Sequence, residues 1–571
     1  MTLEHKNKDT KKIFFLVLGL AFVVFIFTSD GHRYAIDEHH SSEMAFHMTT
    51  LVPDPAYIEG ESKIFFDIPI YNPRNIGAIC SNGITCYPGS VFSSAMQVPF
   101  IAVNHYLHII SPDTLVLTVD DFVDPHYIHW RNSQNVDLVF KELFFGPLFS
   151  AISVAIFFLI CLEQKFTRNN SIILTFLLAF STMVWAYSNT SLNLVPALFF
   201  VLLGYLFLKK YQRLHQNRFL IFSSAVLGFG FLIRPDVVLF IIPIWIFLLV
   251  SRLSTKKKIL SKILSKMFHL TLFSIPSIIC YYIFKIIPNF RYNLSSEKVG
   301  LKLTNEEDFR CLNVADAHIR KEFGDSCSSS NPSISADLAS FTQIFVQGDL
   351  YSPLEVASRT FGILLAPGVG LFIFCPILLT VFFSFYDFFR KNKADCLLIL
   401  SFLILNIIYH CLGTGGWHGL NAWGARYLLL VIPFLLIPLG ASLEQRDKRK
   451  IISILIILGV IGAFFNTVYV IQDVSWFVWS RPGTDVGLFA LEGFKTANLY
   501  LVPEVIWTFQ FSQLTHAIIL AFESLQHDIY ILHVFGALPY SIIFTFSASI
   551  LSYLLYRIIR PKKIPKISEE S

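Results

Sequence analysis

The sequence predicts an all-α polytopic membrane protein with about 12 transmembrane helices. The chain of 571 residues is 54% hydrophobic and only 15% charged, whereas soluble domains are about 25% charged. Apolar runs approaching the roughly 20 residues that cross a bilayer core as a helix recur along it. Short clusters of Lys and Arg separate many of these runs. The net charge of +5 is therefore scattered, and we predict no nucleic-acid partner because no basic stripe is present.

The apolar runs define the predicted spans, several of which are shorter than about 20 residues. In order, they lie near residues 13–29, 143–162, 171–187, 193–208, 219–233, 237–251, 268–287, 363–386, 396–411, 427–443, 451–471 and 534–556. The first run follows a Lys-rich start but lacks the small residues of a signal-peptide cleavage site, so we expect a retained anchor.

The distribution of basic residues predicts the orientation, because Lys and Arg favour cytoplasmic connections. If the N-terminus is inside, the inside connections hold 28 of the 45 basic residues and only 9 of the 40 acidic residues. We therefore expect a multi-pass protein of the cell membrane, with both termini cytoplasmic and the working surface outside. The inside connections are 1–12, 163–170, 209–218, 252–267, 387–395, 444–450 and 557–571.

Three long outer connections divide the chain, and connections longer than about 15 residues are usually functional or disordered. Their apolar and aromatic residues predict short interfacial helices. The predicted organisation is 1–29 (cytoplasmic start and first span), 30–142 (first outer loop), 143–287 (spans 2–7), 288–362 (outer loop), 363–471 (spans 8–11), 472–533 (outer loop) and 534–571 (last span and basic tail).

Four of the nine cysteines fall in the outer loops as two local pairs. An oxidising exterior would favour disulfides between Cys80 and Cys86 and between Cys311 and Cys327. Four free thiols are the alternative, because no spacing rule proves a bridge.

The stretch "SDGHRYAIDEHHSSEMAFHM" begins at Ser29, directly after the first span, and contains the acids Asp37 and Glu38. Partial desolvation near a lipid surface raises a carboxyl pKa and a nearby cation lowers it, which suits a group to acid–base chemistry. A solvated loop is the alternative. His39 and His40 are metal-ligand types, but adjacent residues usually point apart.

Two further stretches place arginines at predicted outer turns. In "FLIRPDVVLF", Pro235 favours a turn that brings Arg234 to the interface, where a guanidinium can bind phosphate or snorkel and pair with Asp236. In "GTGGWHGLNAWGARYLLLVIPF", Arg426 begins a span, where it can meet a phosphate. Trp417 and Trp423 can stack on sugars there, although interfacial Trp, Tyr and Arg are also ordinary anchors.

A metal requirement is open from the sequence. The cluster in "VDDFVDPHYIHW" has ligand residue types, but an acidic loop is the favoured interpretation. A divalent metal is therefore a candidate cofactor without an assigned site, and no nucleotide fingerprint of the P-loop or Rossmann type is present. The cluster comprises Asp120, Asp121, Asp124, His126 and His129.

Taken in order, several motifs resemble those of the membrane glycosyltransferases of the C superfamily (GT-C), the group related to protein O-mannosyltransferases and the lipid A aminoarabinose transferase. The resemblance covers nearly the full chain and rests on "YAIDEHH", "CYPGSVFSSAMQVPF", "STMVWAYSNT", "GFLIRPDVVLF", "LLAPGVGLFIFCPILL" and "GGWHGLNAWGARYLLLVIPF". It implies GT-C architecture, a polyprenyl-phosphate sugar donor, and transfer at the outer membrane face to a glycan, lipid or protein acceptor.

The resemblance also implies roles for particular residues. Asp37, with Glu38 beside it, would be the catalytic acid pair, and Arg234 and Arg426 would bind the donor phosphate. The residues implied to shape the substrate site are Tyr87, Trp185, Tyr187, Trp417, His418, Trp423 and Tyr427. The chain departs from the family pattern at Tyr87-Pro88-Gly89, which has one proline, at Ala425, which replaces a proline, and after "WAYS", where the usual acid is missing.

Two other protein classes fit the predicted topology. A transporter or flippase of lipid-linked sugars would also have about twelve spans, but paired halves with matching broken helices are expected of it, and the sequence shows no such symmetry. A non-catalytic scaffold would need no essential outer carboxylate. A soluble nucleotide-sugar donor is not favoured, because the long loops are predicted to be outside, where nucleotide donors are normally absent.

Overall fold

The computed structural model describes residues 3–31, 36–50, 78–79, 85–86, 91–111, 136–250, 259–286, 353–413, 419, 423–444, 449–472, 503–523 and 527–559. Within these residues the regular structure is helical, apart from one pair of two-residue strands. The segment before the second span contains helices α1 (Leu3–Phe27) and α2 (Ile36–Thr50), strands β1 (Ala78–Ile79) and β2 (Thr85–Cys86), and helix α3 (Val91–Leu107). The strands pair antiparallel, with Ala78 opposite Cys86.

The next part of the chain is a continuous run of helices. They are α4 (Val136–Glu163), α5 (Arg168–Phe180), α6 (Val184–Ser188), α7 (Leu194–Leu214), α8 (Asn217–Ile233), α9 (Val238–Val250) and α10 (Ile259–Ile286). A short 3-10 helix, Pro235–Val237, joins α8 to α9.

The remaining helices follow residue 352. They are α11 (Pro353–Leu365), α12 (Leu371–Phe374), α13 (Val381–Lys391), α14 (Lys393–Gly413), α15 (Ile432–Leu443), α16 (Arg449–Val470), α17 (Pro503–Trp507), α18 (Gln513–Glu523), α19 (Tyr530–Phe535) and α20 (Ala537–Ile559). Two 3-10 helices, Pro376–Thr380 and Arg426–Val431, precede α13 and α15.

The described residues contain eight helices long and apolar enough to cross a membrane. These helices confirm the prediction of an all-α polytopic membrane protein, and the total of twelve spans stays a prediction. The eight are Asp9–Phe27, Val136–Glu163, Leu194–Leu214, Leu264–Phe284, Lys393–Leu412, Arg426–Leu443, Ile451–Val470 and Ala537–Ile558, and two shorter apolar helices are Asn217–Ile233 and Pro235–Val250.

Two predicted spans are broken into shorter helices. Within 171–187, α5 ends at Phe180, and the Thr182 hydroxyl bonds back to the Leu178 carbonyl at 2.6 Å before α6 begins. Within 363–386, α11 ends at Leu365, next to Ala366-Pro367, and a second break falls at Cys375-Pro376. Residues before proline avoid the helical region, which explains both breaks within 363–386.

Polar contacts occur at two opposite ends of the helix bundle. At one end, residues of the predicted inside connections meet: Lys209 pairs with Asp395 at 2.5 Å, and Asn170 donates to Glu444 at 2.6 Å. At the other end, the residues that follow α1 contact a segment late in the chain, because the Tyr530 backbone N–H donates to the Ser29 carbonyl at 3.0 Å. The predicted inside connections therefore contact one another at one end, and the orientation in the membrane stays a prediction.

Helix α15 lies at the centre of the bundle, since every one of its residues is buried. A helix that is apolar on all sides belongs in such an interior position. Its preceding 3-10 helix begins at Arg426, so the packed core fixes the place of that arginine at one end of the bundle.

Candidate active site

A polar site forms at the end of the bundle where α7 begins. The segment 189–193, between α6 and α7, has two contacts that define it. The backbone N–H of Ser191 donates to Glu38 Oε1 at 2.7 Å, and Asn193 Oδ1 accepts from Arg234 Nη1 at 2.8 Å. One short segment therefore contacts both the acid-bearing helix α2 and a predicted phosphate-binding arginine.

Asp37 and Glu38 lie in the first turn of α2, a position where acids interact favourably with the helix dipole. Glu38 is completely buried, and a hydrogen bond to a carboxylate is stronger than one between neutral groups. The hydroxyl of Ser42 donates to the Glu38 carbonyl at 2.6 Å and fixes the next turn. The segment predicted as either a solvated loop or a catalytic element is therefore a helix whose second acid is buried.

Arg234 lies at the end of α8 with an extended backbone, as expected of a residue that precedes proline. Its Nε donates to Asp236 Oδ2 at 2.6 Å, and both side chains are largely buried. The Arg234–Asp236 pair, predicted as the alternative to phosphate binding, is thus formed. Together with Asn193, Asp236 orients the guanidinium plane.

Arg426 and Tyr427 begin the 3-10 helix that leads into α15. The Arg426 Cζ lies 4.9 Å from the centroid of the Tyr427 ring, and the Arg234 Cζ lies 5.9 Å from the same centroid. Arg426 Nη2 also donates to the Tyr427 hydroxyl at 3.1 Å. The two arginines, distant in sequence, therefore share one aromatic ring, a cation–π arrangement.

His410, near the end of α14, completes this arginine cluster. Its ring stacks on Tyr427 with centroids 4.4 Å apart and planes within 8°. Its Nε2 lies 3.9 Å from Asp236 Oδ2, and the side chain is almost fully buried. His410 thus connects the carboxylate that holds Arg234 to the ring that both arginines contact.

Two of the predicted substrate-shaping residues form the back of the site. Tyr187 donates its hydroxyl hydrogen to the Trp423 carbonyl at 2.9 Å. Trp423 is completely buried between Phe374, whose ring centroid is 4.7 Å away, and Tyr469 at 4.5 Å. A buried indole has no free face for a sugar, so Trp423 acts through packing rather than by stacking on substrate.

Trp185 occupies a different place, beside the end of α1. Its indole N–H donates to the Thr28 hydroxyl at 3.0 Å, and its ring packs edge-on against Phe180 at 5.6 Å between centroids. Trp185 therefore fixes the exit of α1, from which the chain continues to α2 and its acids.

Electrostatic contacts connect the two sides of the site. Tyr187 lies within electrostatic range of the positive charges of Arg426 and Arg234. Tyr469, which packs against Trp423, lies within electrostatic range of the negative charges of Asp30 and Glu38. Asp30 and Glu38 are both buried. We call Arg234 and Arg426 the arginine side of this site and the buried acids Asp30 and Glu38 its carboxylate side.

Several predicted residues lie outside the described residues or have side chains that are not described. His39 and His40 belong to α2, Cys86 belongs to β2, and only their backbone positions are described, as is also true of Asp37. The residues outside the described ranges are Tyr87, Trp417, His418, Cys80, Cys311, Cys327 and the cluster Asp120, Asp121, Asp124, His126 and His129.

A metal site is not assigned. Among the described residues no group of three or more His, Cys, Asp or Glu side chains is arranged to hold a metal ion. The described cysteines Cys161, Cys280, Cys375, Cys396 and Cys411 are free thiols.

Sequence reasoning missed four residues that the structure brings to the site, namely Ser191, Asn193, His410 and Tyr469. A signal was present for His410, because an ionisable side chain inside a predicted span suggests a functional site. The Ser191 and Asn193 contacts join segments far apart in the chain, and no local pattern reveals them.

The fold and the site define a polytopic α-helical membrane protein with a polar centre of arginines, tyrosines and carboxylates. Residues 139–279 match the family model of dolichyl-phosphate-mannose-protein mannosyltransferases. Over these residues, which include Trp185, Tyr187 and Arg234, the match confirms the resemblance to membrane glycosyltransferases. It supports a membrane glycosyltransferase that uses a polyprenyl-phosphate sugar donor. A comparison with curated proteins finds no match.

Proposed function

We propose that the protein is an inverting glycosyltransferase that moves a hexose or pentose from a polyprenyl-phosphate donor to a protein, lipid or glycan acceptor at the outer membrane face. The family match over residues 139–279 supports the reaction class. The outer face is proposed because the acid-bearing helix α2 and both arginines lie in predicted outer connections. The predicted inside connections, which are basic, contact one another at the opposite end.

The observation that carries the proposal is the sharing of the Tyr427 ring by Arg234 and Arg426, at 5.9 Å and 4.9 Å from its centroid. Asp236 balances part of the positive charge of the two guanidinium groups. A donor phosphate adds a second anion, which guanidinium groups bind through parallel hydrogen bonds. As the sugar leaves, charge on the phosphate grows, and preformed cations stabilise that growing charge.

The first turn of α2 supplies the base in this proposal. In the proposed step, Asp37 accepts the proton of the acceptor hydroxyl while the acceptor oxygen bonds to the anomeric carbon of the sugar. The bond from that carbon to the phosphate oxygen breaks, and polyprenyl phosphate leaves with the electron pair. A single displacement inverts the anomeric configuration. Glu38, anchored by the Ser191 N–H, holds this turn of α2 in place.

The test is Asp37→Asn in the purified full-length protein, assayed with a polyprenyl-phosphate sugar and mass spectrometry of the product. We expect kcat to fall about 100- to 10,000-fold, the usual contribution of a general base. Donor binding should persist, because the arginines are intact. The matched control is Glu163→Gln, which removes an acid that pairs with Arg213 among the predicted inside connections, at the opposite end of the bundle.

Full activity of a normally folded Asp37→Asn protein would show that Asp37 is not the base. Retention of anomeric configuration in the product would exclude a single displacement. A reconstituted protein that moves lipid-linked sugar across the bilayer without any glycosyl product would support the flippase alternative. A screen of donor lipids in the same assay identifies the sugar and the polyprenol.

A further inference from the structure

Helix α4 contains a pair of adjacent charged residues, Lys141 and Glu142, that the proposed reaction does not use. Their side chains are 0% and 2% exposed, and they form an ion pair. A buried ion pair seldom stabilises a fold more than apolar residues of similar size would. Their location inside a membrane-crossing helix, where ionisable residues are usually functional, calls for another explanation.

The pair is the centre of a hydrogen-bond network that reaches two other elements. Lys141 Nζ donates to the Ser42 hydroxyl of α2 at 2.6 Å and to the Ser191 hydroxyl at 3.0 Å. The Ser191 hydroxyl donates to Glu142 Oε1 at 3.1 Å. Lys141 and Glu142 therefore hold α2 and the segment 189–193 against the same turn of α4.

Each of these two elements carries one half of the site. Ser42 lies one turn after Glu38 in α2, and the Ser191 N–H contacts the Glu38 carboxylate directly. Two residues further on, Asn193 accepts from Arg234. The network consequently continues from the acid pair of α2 to the arginine cluster by way of a single five-residue segment, 189–193.

A close backbone approach reinforces this arrangement. A Cβ atom at Gly146 of α4 would collide with the Ser188 and Thr190 carbonyl oxygens. The chain before Ser191 thus lies directly on α4, one turn beyond Glu142. Backbone and side-chain contacts together leave the segment little freedom to shift along the helix.

We propose that Lys141 and Glu142 are positioning residues that set the separation between the acid pair of α2 and the donor-phosphate arginine Arg234. The proposal rests on the proposed function, because it assigns those two groups to acceptor activation and donor binding. The two reactants must meet within a few tenths of an ångström of the reactive geometry, and a displacement of about 1 Å can cost a hundredfold in rate.

The experiment compares Lys141→Met with Lys209→Met in the full-length protein reconstituted in lipid nanodiscs. Lys209 is a matched control, because it is also a buried lysine with a carboxylate partner, Asp395, but lies at the opposite end of the bundle. Lys141→Met should lower kcat about tenfold to a hundredfold. Its donor KM should stay within about threefold, since the arginines remain. Lys209→Met should retain kcat, even if its thermal midpoint falls as far.

A double variant separates positioning from simple destabilisation. Lys141→Met leaves the Glu142 carboxylate buried without its cation, which destabilises the protein. Lys141→Met with Glu142→Gln removes that unpaired charge and should restore the thermal midpoint, while kcat stays low. Recovery of both the thermal midpoint and kcat in the double variant would overturn the proposal, as would an unchanged kcat in Lys141→Met.

Backbone hydrogen exchange provides a measurement independent of catalysis. Lys141→Met should speed exchange in α2 and in residues 189–193, whereas Lys209→Met should not. If the unmodified protein transfers no sugar, the proposed function fails, and the exchange rates still decide whether the pair positions α2. Unchanged exchange in both segments would overturn the positioning role, even in a protein with full transferase activity.

Discussion

In the proposed reaction Arg234 and Arg426, whose Cζ atoms lie 5.9 Å and 4.9 Å from the centroid of the same tyrosine ring, bind phosphate as planar forks rather than as point charges. Lysine keeps the positive charge but loses the planar pair of donors. One lost hydrogen bond to a charged group is worth about 1.5–3 kcal/mol, so Arg234→Lys and Arg426→Lys should each raise the donor KM about tenfold or more. Steady-state kinetics with varied donor concentration measures this change.

The control for both arginine substitutions is Arg168→Lys. Arg168 is partly buried and lies 3.9 Å from Asp9 among the predicted inside connections, instead of near the Tyr427 ring. We expect its donor KM to match that of the unmodified protein. A donor KM that is unaltered in Arg234→Lys and Arg426→Lys would argue against phosphate binding at the ring.

Tyr187→Phe tests whether the back of the site matters for transfer. It removes the hydrogen bond to the buried Trp423 carbonyl, at a cost of about 1 kcal/mol in the free energy of unfolding. Tyr205→Phe is the matched control, because Tyr205 is also buried and its hydroxyl accepts from Gln164 at 3.1 Å, near the opposite end. Thermal unfolding should report similar losses, and only Tyr187→Phe should lower the rate of transfer.

At the scale of single residues, sequence reasoning identified chemistry better than contacts. Arg234, Arg426 and Tyr427 lie together around one ring, and their roles in donor binding stay a prediction. Trp423 illustrates the limit: a Trp in a Gly-rich turn has the same residue pattern whether it faces a sugar or the core. Its burial depends on Phe374 and Tyr469, which come from other helices.

Among the elements, helix α4 shows how a small error in a boundary hides a functional group. Apolar content alone places the start of the second span at residue 143, which leaves Lys141 and Glu142 in the outer loop. The helix begins at Val136, so both charges are inside it. Hydropathy averages over a window and cannot register a buried charge that is satisfied by partners from α2 and the segment 189–193.

The breaks in the spans at 171–187 and 363–386 have different degrees of predictability. Pro367 and Pro376 predict the two breaks within 363–386, since each disfavours helix at the residue before it. The break after Phe180 has no proline. It is accompanied by a tertiary contact, in which the Ser181 hydroxyl donates to the Gly459 carbonyl of α16 at 2.9 Å. Only the folded arrangement of helices reveals such a contact.

Gly146→Ala tests the contact between α4 and the segment that precedes Ser191. The added Cβ would overlap two carbonyl oxygens of the backbone, which have no flexible end to move aside. We expect a loss of about 1–3 kcal/mol in the free energy of unfolding, typical of overpacking, and a lower kcat. Chemical denaturation and the transfer assay measure the two effects.

Gly19→Ala is the control for this substitution. A Cβ at Gly19 would meet only the Leu551 side chain, at 3.5 Å, which is ordinary van der Waals contact. Alanine is favoured over glycine in a helix by about 1 kcal/mol, so Gly19→Ala should retain or increase stability. Equal stability of Gly146→Ala and Gly19→Ala would mean that the 188–190 backbone can retreat from α4.

For the whole molecule, the charge asymmetry predicts which end faces the cytoplasm, and thiol labelling tests it. Gln216 follows the predicted inside end of α7, and Tyr106 lies exposed near the end of α3 on the predicted outer side. In intact cells, a membrane-impermeant maleimide should label Tyr106→Cys and spare Gln216→Cys. The unmodified protein gives the background from its own thiols, and reversed labelling would invert the orientation.

The grouping of the predicted inside connections at one end was predictable at this scale, because it follows from sums over many residues. The predicted inside connections do contact one another, as the pairs Lys209–Asp395 and Arg213–Glu163 show. Which helices are neighbours was not predictable from hydropathy, because the apolar side chains of every span are equally compatible with lipid. That order depends on specific side-chain packing between helices.

The contact between α1 and α20 has a consequence for biosynthesis. The Tyr540 hydroxyl donates to the Phe27 carbonyl at 2.8 Å, across 513 residues of sequence. Helix α1 is synthesised at the start of translation, but this contact forms only after the ribosome has made α20, more than five hundred residues later. Helix α2, which carries the acid pair, contacts α4 and the segment 189–193, which are made early, whereas Arg426 and Tyr427 of the arginine cluster come from the last third of the chain. A ribosome that stalls midway would thus release a membrane-embedded chain with an unassembled reaction centre.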